Sequence, residues 1–201
     1  MYAEALIAAS LLIAGYQDVK DRLVSDLVWI PAGVGVILVF ALAPLGWAFL
    51  AVRLGLISAI AIAFTKYGSI GQADAIALVV VSADPSPLSP MPPLIATGAI
   101  ALIHIGYLYL TGQVGKPIII PLSRFKAEAK WIPKAEIRGE VKTSVVKDVN
   151  VSRDSVEALS GDDVLIEVQY GVPTVAYIGT GYFAYLVYLL IFQPDMLLNM
   201  V

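Results

Sequence analysis

The sequence predicts a membrane all-α fold: six transmembrane helices, with a small cytoplasmic α+β subdomain inserted between helices five and six. Three observations predict it. Hydrophobic side chains make up 59% of the 201 residues and charged ones only 14%, a balance too apolar for an ordinary soluble domain. The apolar residues gather in six runs separated by short polar breaks. One long polar stretch interrupts them before the last run. The chain therefore divides into 1–112, holding helices one to five, 113–169, the soluble insert, and 170–201, holding helix six and the C-terminus.

Crossing the hydrocarbon core takes about 20 apolar residues, and about 17 still suffice. The runs are Tyr2 to Tyr16, Leu27 to Ala43, Gly46 to Thr65, Ala73 to Ala83, Pro92 to Thr111 and Gly171 to Phe192. Within the first, Ala5 to Ala14 resembles a signal-peptide core, yet Glu4 stands where a basic segment belongs, so the run reads as a retained span. The fourth, about eleven residues, is too short to cross as a straight helix unless the membrane thins or the helix starts inside the protein. Low lipid exposure is expected for it.

Of the thirteen Lys and Arg residues, all but Arg53 fall at 20, 22, 66 and between 116 and 153. The positive-inside bias then puts the loops after spans one, three and five in the cytoplasm. The opposite loops are Pro44-Leu45 and Asp84 to Met91, the latter broken by Pro85, Pro87 and Pro90. Both termini are expected outside.

Within the insert, Ile118-Ile119-Ile120, Glu140 to Val149 and Val164 to Val168 are rich in β-branched residues with partial alternation, which predicts strands. Ser123 to Trp131 predicts a short helix that Pro133 stops.

Composition also excludes function classes. Without cysteine there is no disulfide, thiol nucleophile or Cys-based metal site, and one histidine makes no metal cluster. No metal or other cofactor is expected. The basic residues of the insert interleave with Glu128, Glu136, Glu140 and Asp148 rather than forming a basic surface, so no nucleic-acid partner is expected. The lipid bilayer is the partner that this composition implies.

Two aspartates then stand out. Asp18, in Gln17-Asp18-Val19-Lys20, ends the first run, and Asp74, in Gly71-Gln72-Ala73-Asp74, begins the fourth. A carboxylate near a bilayer is costly and marks a functional site by default. The orientation puts both in the cytoplasmic leaflet. If the two helices pack together, the carboxylates share one proton and hold a water, one oxygen acting as base and the other acid polarising a carbonyl. That is aspartic peptidase chemistry, and such a pair titrates in two macroscopic steps. The small Gly71 and Ala73 would let a substrate backbone come close. The competing role for an interfacial aspartate is a helix cap or an ion-pair partner of Lys20, Arg22 or Lys66. Asp21 and Asp26 are alternative acids in the first loop, more in keeping with loop or capping roles.

The stretch Gly15-Tyr16-Gln17-Asp18-Val19-Lys20-Asp21-Arg22-Leu23-Val24-Ser25-Asp26-Leu27-Val28-Trp29 resembles the first motif of the archaeal preflagellin and prepilin peptidases, membrane aspartic peptidases of the GxGD type. Gly71-Gln72-Ala73-Asp74 is similar to the second motif, with Ala73 in place of its second glycine. The span order, the insert before span six and the Gly171-Val172-Pro173 opening of that span match as well. The resemblance implies that Asp18 and Asp74 are the catalytic pair. It implies a precursor substrate with a short basic leader and a hydrophobic helix, cut on the cytoplasmic side for assembly into archaella or type IV-like pili. Bacterial relatives add a cysteine-rich loop and an N-methyltransferase activity; this cysteine-free chain is expected to be a peptidase only. Asp21 and Asp26 could attract the basic leader.

Two other readings use the same acids: a presenilin-like protease cutting within a span, and a non-catalytic carrier of a cation or proton. The remaining polar and small residues read as structural. His104 is expected to be hydrogen-bonded within its span. Gly33, Gly35, Gly179 and Gly181 suit close helix contacts, and Tyr177, Tyr182, Tyr185 and Tyr188 suit a packing stripe.

Overall fold

A computed structural model of the chain describes residues 2–42, 46–67, 70–86, 89–112, 117–128, 130–138, 141–144, 156, 158–159 and 164–194. Helices occupy all six predicted runs. They are α1 (Tyr2–Asp21), α2 (Trp29–Leu42, preceded by a 3-10 turn at Asp26–Val28), α3 (Trp47–Lys66), α4 (Gln72–Ser82), α5 (Met91–Leu110) and, after the insert, α7 (Thr174–Phe192). Among these, α3, α5 and α7 are long and apolar enough to cross a membrane, whereas Asp26–Leu42 and α4 are apolar but shorter. The first helix runs past Tyr16 to Asp21, so Asp18 is helical and Asp21, expected in the first loop, is the last residue of the helix. The predicted Pro44-Leu45 loop and Pro87 lie outside the described residues.

The chain forms two compact units. One comprises Met1–Val19, Leu23–Leu102 and Pro173–Val201, and the other Lys20–Arg22 and Ile103–Val172. In the first, α1 brings Ala3, Ile7, Leu11 and Ala14 to one face, at the three- and four-residue spacing that lines up helical side chains. Val175, Ile178, Tyr182, Tyr185 and Leu189 do the same on α7, and Val39, Leu50, Ala77 and Val81 complete the core. Of the four tyrosines, Tyr177, Tyr182 and Tyr185 are buried, whereas Tyr188 is 49% exposed.

Glycines let these helices approach. A Cβ at Gly179 would lie 2.6 Å from the Leu11 carbonyl oxygen, and one at Gly35 would lie 2.8 Å from that of Ala3. Gly181 packs on Thr97 in the same way. Gly33 departs from the expectation, because nothing stands within 4 Å of where its Cβ would be. His104 is half-buried within α5.

The second unit holds an antiparallel sheet of order β1-β4-β2-β3. Its strands are β1 (Ile118–Pro121), β2 (Trp131–Arg138), β3 (Val141–Ser144) and β4 (Leu165–Tyr170), with α6 (Leu122–Ala127) between the first two. Ile166 and Val168 alternate inward along β4 and meet Ile120, Leu122, Phe125 and Trp131 in a separate core. Two expectations change here. The short helix ends at Ala127, where Glu128 turns extended, rather than continuing to a stop at Pro133. Pro133 lies inside β2, where the register to β4 slips between Pro133 and Ala135. A proline has no N–H to give the ladder, and a bulge is where a paired strand tolerates it. Of the predicted strand Glu140 to Val149, the described part is β3; Glu140 and 145–149 lie outside the described residues.

Candidate functional site

Asp18 occupies the last turn of α1, half-buried. Its Oδ2 accepts the backbone N–H of Val175 at 3.0 Å and of Ala176 at 3.4 Å. Both amides belong to the first turn of α7, whose N-cap is Pro173 with no side-chain acceptor of its own. The opening amides of a helix have no partner within it, so a carboxylate from another helix serves. Gly15, one turn back along α1, lets the two helices meet: a Cβ there would stand 2.8 Å from the Ala176 Cα. The chain leaving α1 is also tied down, since Gln17 Oε1 accepts the Ser25 N–H at 2.9 Å and the Ser10 hydroxyl donates to the Val28 carbonyl.

Asp74 is the third residue of α4 and likewise half-buried. Its Oδ2 accepts the N–H of Gly71, the N-cap, at 3.1 Å. Asp18 lies near enough for its charge to act on Asp74. The two carboxylates thus belong to one unit, each fixed at the amino end of a helix: Asp18 at that of α7, Asp74 at that of α4. The capping role weighed against catalysis is present for both. It also orients both, and a carboxylate held by N–H donors on one oxygen is a positioned acceptor.

Of the other residues singled out, Gly71 is exposed in an extended conformation, and Ala73 is half-buried against the core. Asp26 is exposed at the start of the 3-10 turn, and Asp21 is the exposed last residue of α1. Among the described residues, no group of three His, Asp or Glu could hold a metal ion. An apolar groove of about 470 Å³ between α5 and α7, lined by Pro92, Ile95, Ala99, Tyr185 and Tyr188, includes neither aspartate.

Sequence reasoning missed a second polar cluster in the same unit, in which Arg53, Asp84 and Tyr182 meet. Its signal was Arg53 standing alone inside an apolar run. No family model matches the chain, and neither a curated protein nor a solved structure matches it, so the likeness to the GxGD peptidases rests on the motif residues themselves.

Proposed function

We propose that this chain is a membrane aspartic endopeptidase that removes the short basic leader of preflagellin or type IV pilin-like precursors at the cytoplasmic face, with Asp18 and Asp74 as its dyad. In this reading all six apolar helices are spans, the insert faces the cytoplasm and both termini lie outside. The observation that carries it is that two half-buried carboxylates, from the end of α1 and the start of α4, belong to one compact unit, each held by backbone N–H donors and near enough for one charge to act on the other.

The chemistry follows from one shared proton. Asp18, accepting two N–H donors, is suited to be the ionised member and takes a proton from water as the water oxygen attacks the scissile carbonyl. Asp74 is then the protonated member and donates to the carbonyl oxygen. Collapse of the tetrahedral intermediate breaks the C–N bond as the leaving nitrogen takes the proton held by Asp18 and one hydroxyl of the intermediate returns its proton to Asp74, which leaves one proton on the pair again. The precursor's hydrophobic helix would lie in lipid beside the spans, leaving its scissile bond at the interface.

The test is to incubate membranes bearing the protein with a leader-bearing precursor and look for the shortened product. Asp18→Asn and Asp74→Asn should each abolish it, whereas Asp21→Asn should leave most of it. Equal loss from all three would undo the assignment.

A carrier reading draws on the buried Asp84, an acid well inside the helical unit. Against it, the Arg53 guanidinium occupies that centre and donates to three carbonyls there. Uptake of a cation or proton into vesicles, lost in Asp84→Asn and kept in Asp18→Asn, would favour the carrier.

A further inference from the structure

Arg53 is the seventh residue of α3, about 9 Å along a helix apolar and long enough to cross a membrane. A guanidinium at that depth is costly unless protein groups take its donors. They do. Nη1 donates to the carbonyls of Ser86 at 2.8 Å and Ser89 at 3.2 Å, and Nη2 donates to that of Asp84.

All three carbonyls belong to the segment between α4 and α5, in which Ala83, Asp84, Pro85, Ser86 and Ser89 are buried. Irregular backbone shut away from water needs partners from the protein, and Arg53 supplies three. The other ties run in the same direction. The Asp84 carboxylate accepts the Ser86 N–H at 2.9 Å and the Tyr182 hydroxyl at 3.1 Å, and the Ser89 hydroxyl donates to the Val81 carbonyl at 3.0 Å. Tyr182 lies midway along α7 with no exposed surface, and the Asp84 charge is near enough to attract Arg53. The turn is therefore fastened to α3 and α7 at once.

We infer that Arg53 is a positioning residue: by clamping the buried turn it fixes the depth and rotation at which α4 presents Asp74 to Asp18. The inference rests on the peptidase reading. Its mechanical basis is that α4 is a single helix of 11 residues, about 16 Å long, with the clamped turn at one end and Asp74 in the first turn at the other. A helix turns about 100° per residue, so slippage at the clamp by one residue would swing Asp74 away from its partner.

The chain has no cysteine, so Tyr16→Cys and Gln72→Cys, both at exposed positions, can carry spin labels in the full-length protein in membranes. Arg53→Gln should broaden or shift the distance distribution between the labels, and Arg53→Lys should restore part of it, because an ammonium keeps donors but loses the planar fork. With a leader-bearing precursor, Arg53→Gln should lower kcat on the order of 10- to 100-fold, as a misplacement near 1 Å does, and leave KM within about twofold. Tyr182→Phe, which loosens the turn at one bond, should act in the same direction and more weakly, and it carries the test if Arg53→Gln does not fold. An unchanged distance distribution overturns the clamp. A changed distribution with unchanged kcat overturns the positioning role. A wild-type protein that cleaves no precursor while Arg53→Gln still shifts the labels would sink the peptidase reading and the positioning role with it, leaving only the clamp.

Discussion

The carboxylate of Asp18 accepts the N–H of Val175 at 3.0 Å, so the end of the first helix is bonded to the start of the last. The contact joins residues 157 positions apart. It gives one side chain two separable duties, closing the opening turn of α7 and supplying a carboxylate to the proposed dyad.

The two duties separate by substitution. Asp18→Asn keeps an oxygen that can accept from Val175, whereas Asp18→Ala removes it. Both should abolish cleavage. Asp18→Ala should in addition lose about 1 kcal/mol of stability, the scale of a lost capping acceptor, and Asp18→Asn should lose less. Thermal unfolding in detergent reads the difference; equal melting of the two variants would mean that the bond to α7 contributes nothing.

The proposed dyad works with one proton on the pair. Cleavage should therefore fall on the acid side, where both carboxyls are protonated, and on the alkaline side, where both are ionised. Initial rates of precursor cleavage across pH should trace a bell. A rate that stays level through the acid limb would rule out the shared proton.

The helix contacts give a graded prediction. Gly15→Ala forces a Cβ to within 2.8 Å of the Ala176 Cα, and Gly179→Ala to within 2.6 Å of the Leu11 carbonyl oxygen. Overpacking of this kind costs about 1–3 kcal/mol. Gly15→Ala should also slow cleavage, because it pushes α7 away from the carboxylate that caps it. Gly33→Ala meets open space and should be neutral or stabilise by about 0.5–1 kcal/mol, since alanine suits a helix better than glycine. Melting temperatures of the three variants check the order.

What could be read in advance followed from local pattern. Apolar runs located α1 to α5 and α7, including the fourth, which is too short to span, because burial of a helix leaves its mark in composition and length. The motif aspartates were legible for a similar reason, as carboxylates set where apolar sequence stops. The partners of those aspartates were not. Nothing near Asp18 points to Val175, and a contact between distant parts of the chain is set by packing rather than by neighbours in sequence. Arg53 was visible as a lone charge, yet its carbonyl partners belong to a segment whose three prolines forbid a continuous helix and say nothing of burial. Prolines break helices whether they face water or protein, so they could not tell a buried turn from a surface one. The same residue type misled in the insert, where Pro133 read as a helix stop and lies in a strand at a slipped register.

The insert offers a test independent of catalysis. Glu128 Oε2 lies 3.0 Å from the Lys130 Nζ and accepts the Trp131 indole N–H at 2.8 Å, while Oε1 lies 3.1 Å from the Arg124 Nε. The Lys130 contact leads these interactions in holding the carboxyl below its ordinary value of 4.5, down to about 2. Because the folded value is the lower one, the charged form favours folding. Its contribution is complete above about 4.5, shrinks as pH drops below that value and is gone once pH has fallen through about 2. Glu128→Gln should thus melt at a lower temperature than the wild type near neutral pH, and the gap should close as pH falls through that window. The side chain is 31% exposed, so water and salt screen the cluster and the gap should be small and narrow further in high salt. Melting curves of the full chain in detergent, recorded at a series of pH values for both proteins, decide it: a gap that persists unchanged below pH 2 would mean that Glu128 acts through packing on Trp131 and not through its charge.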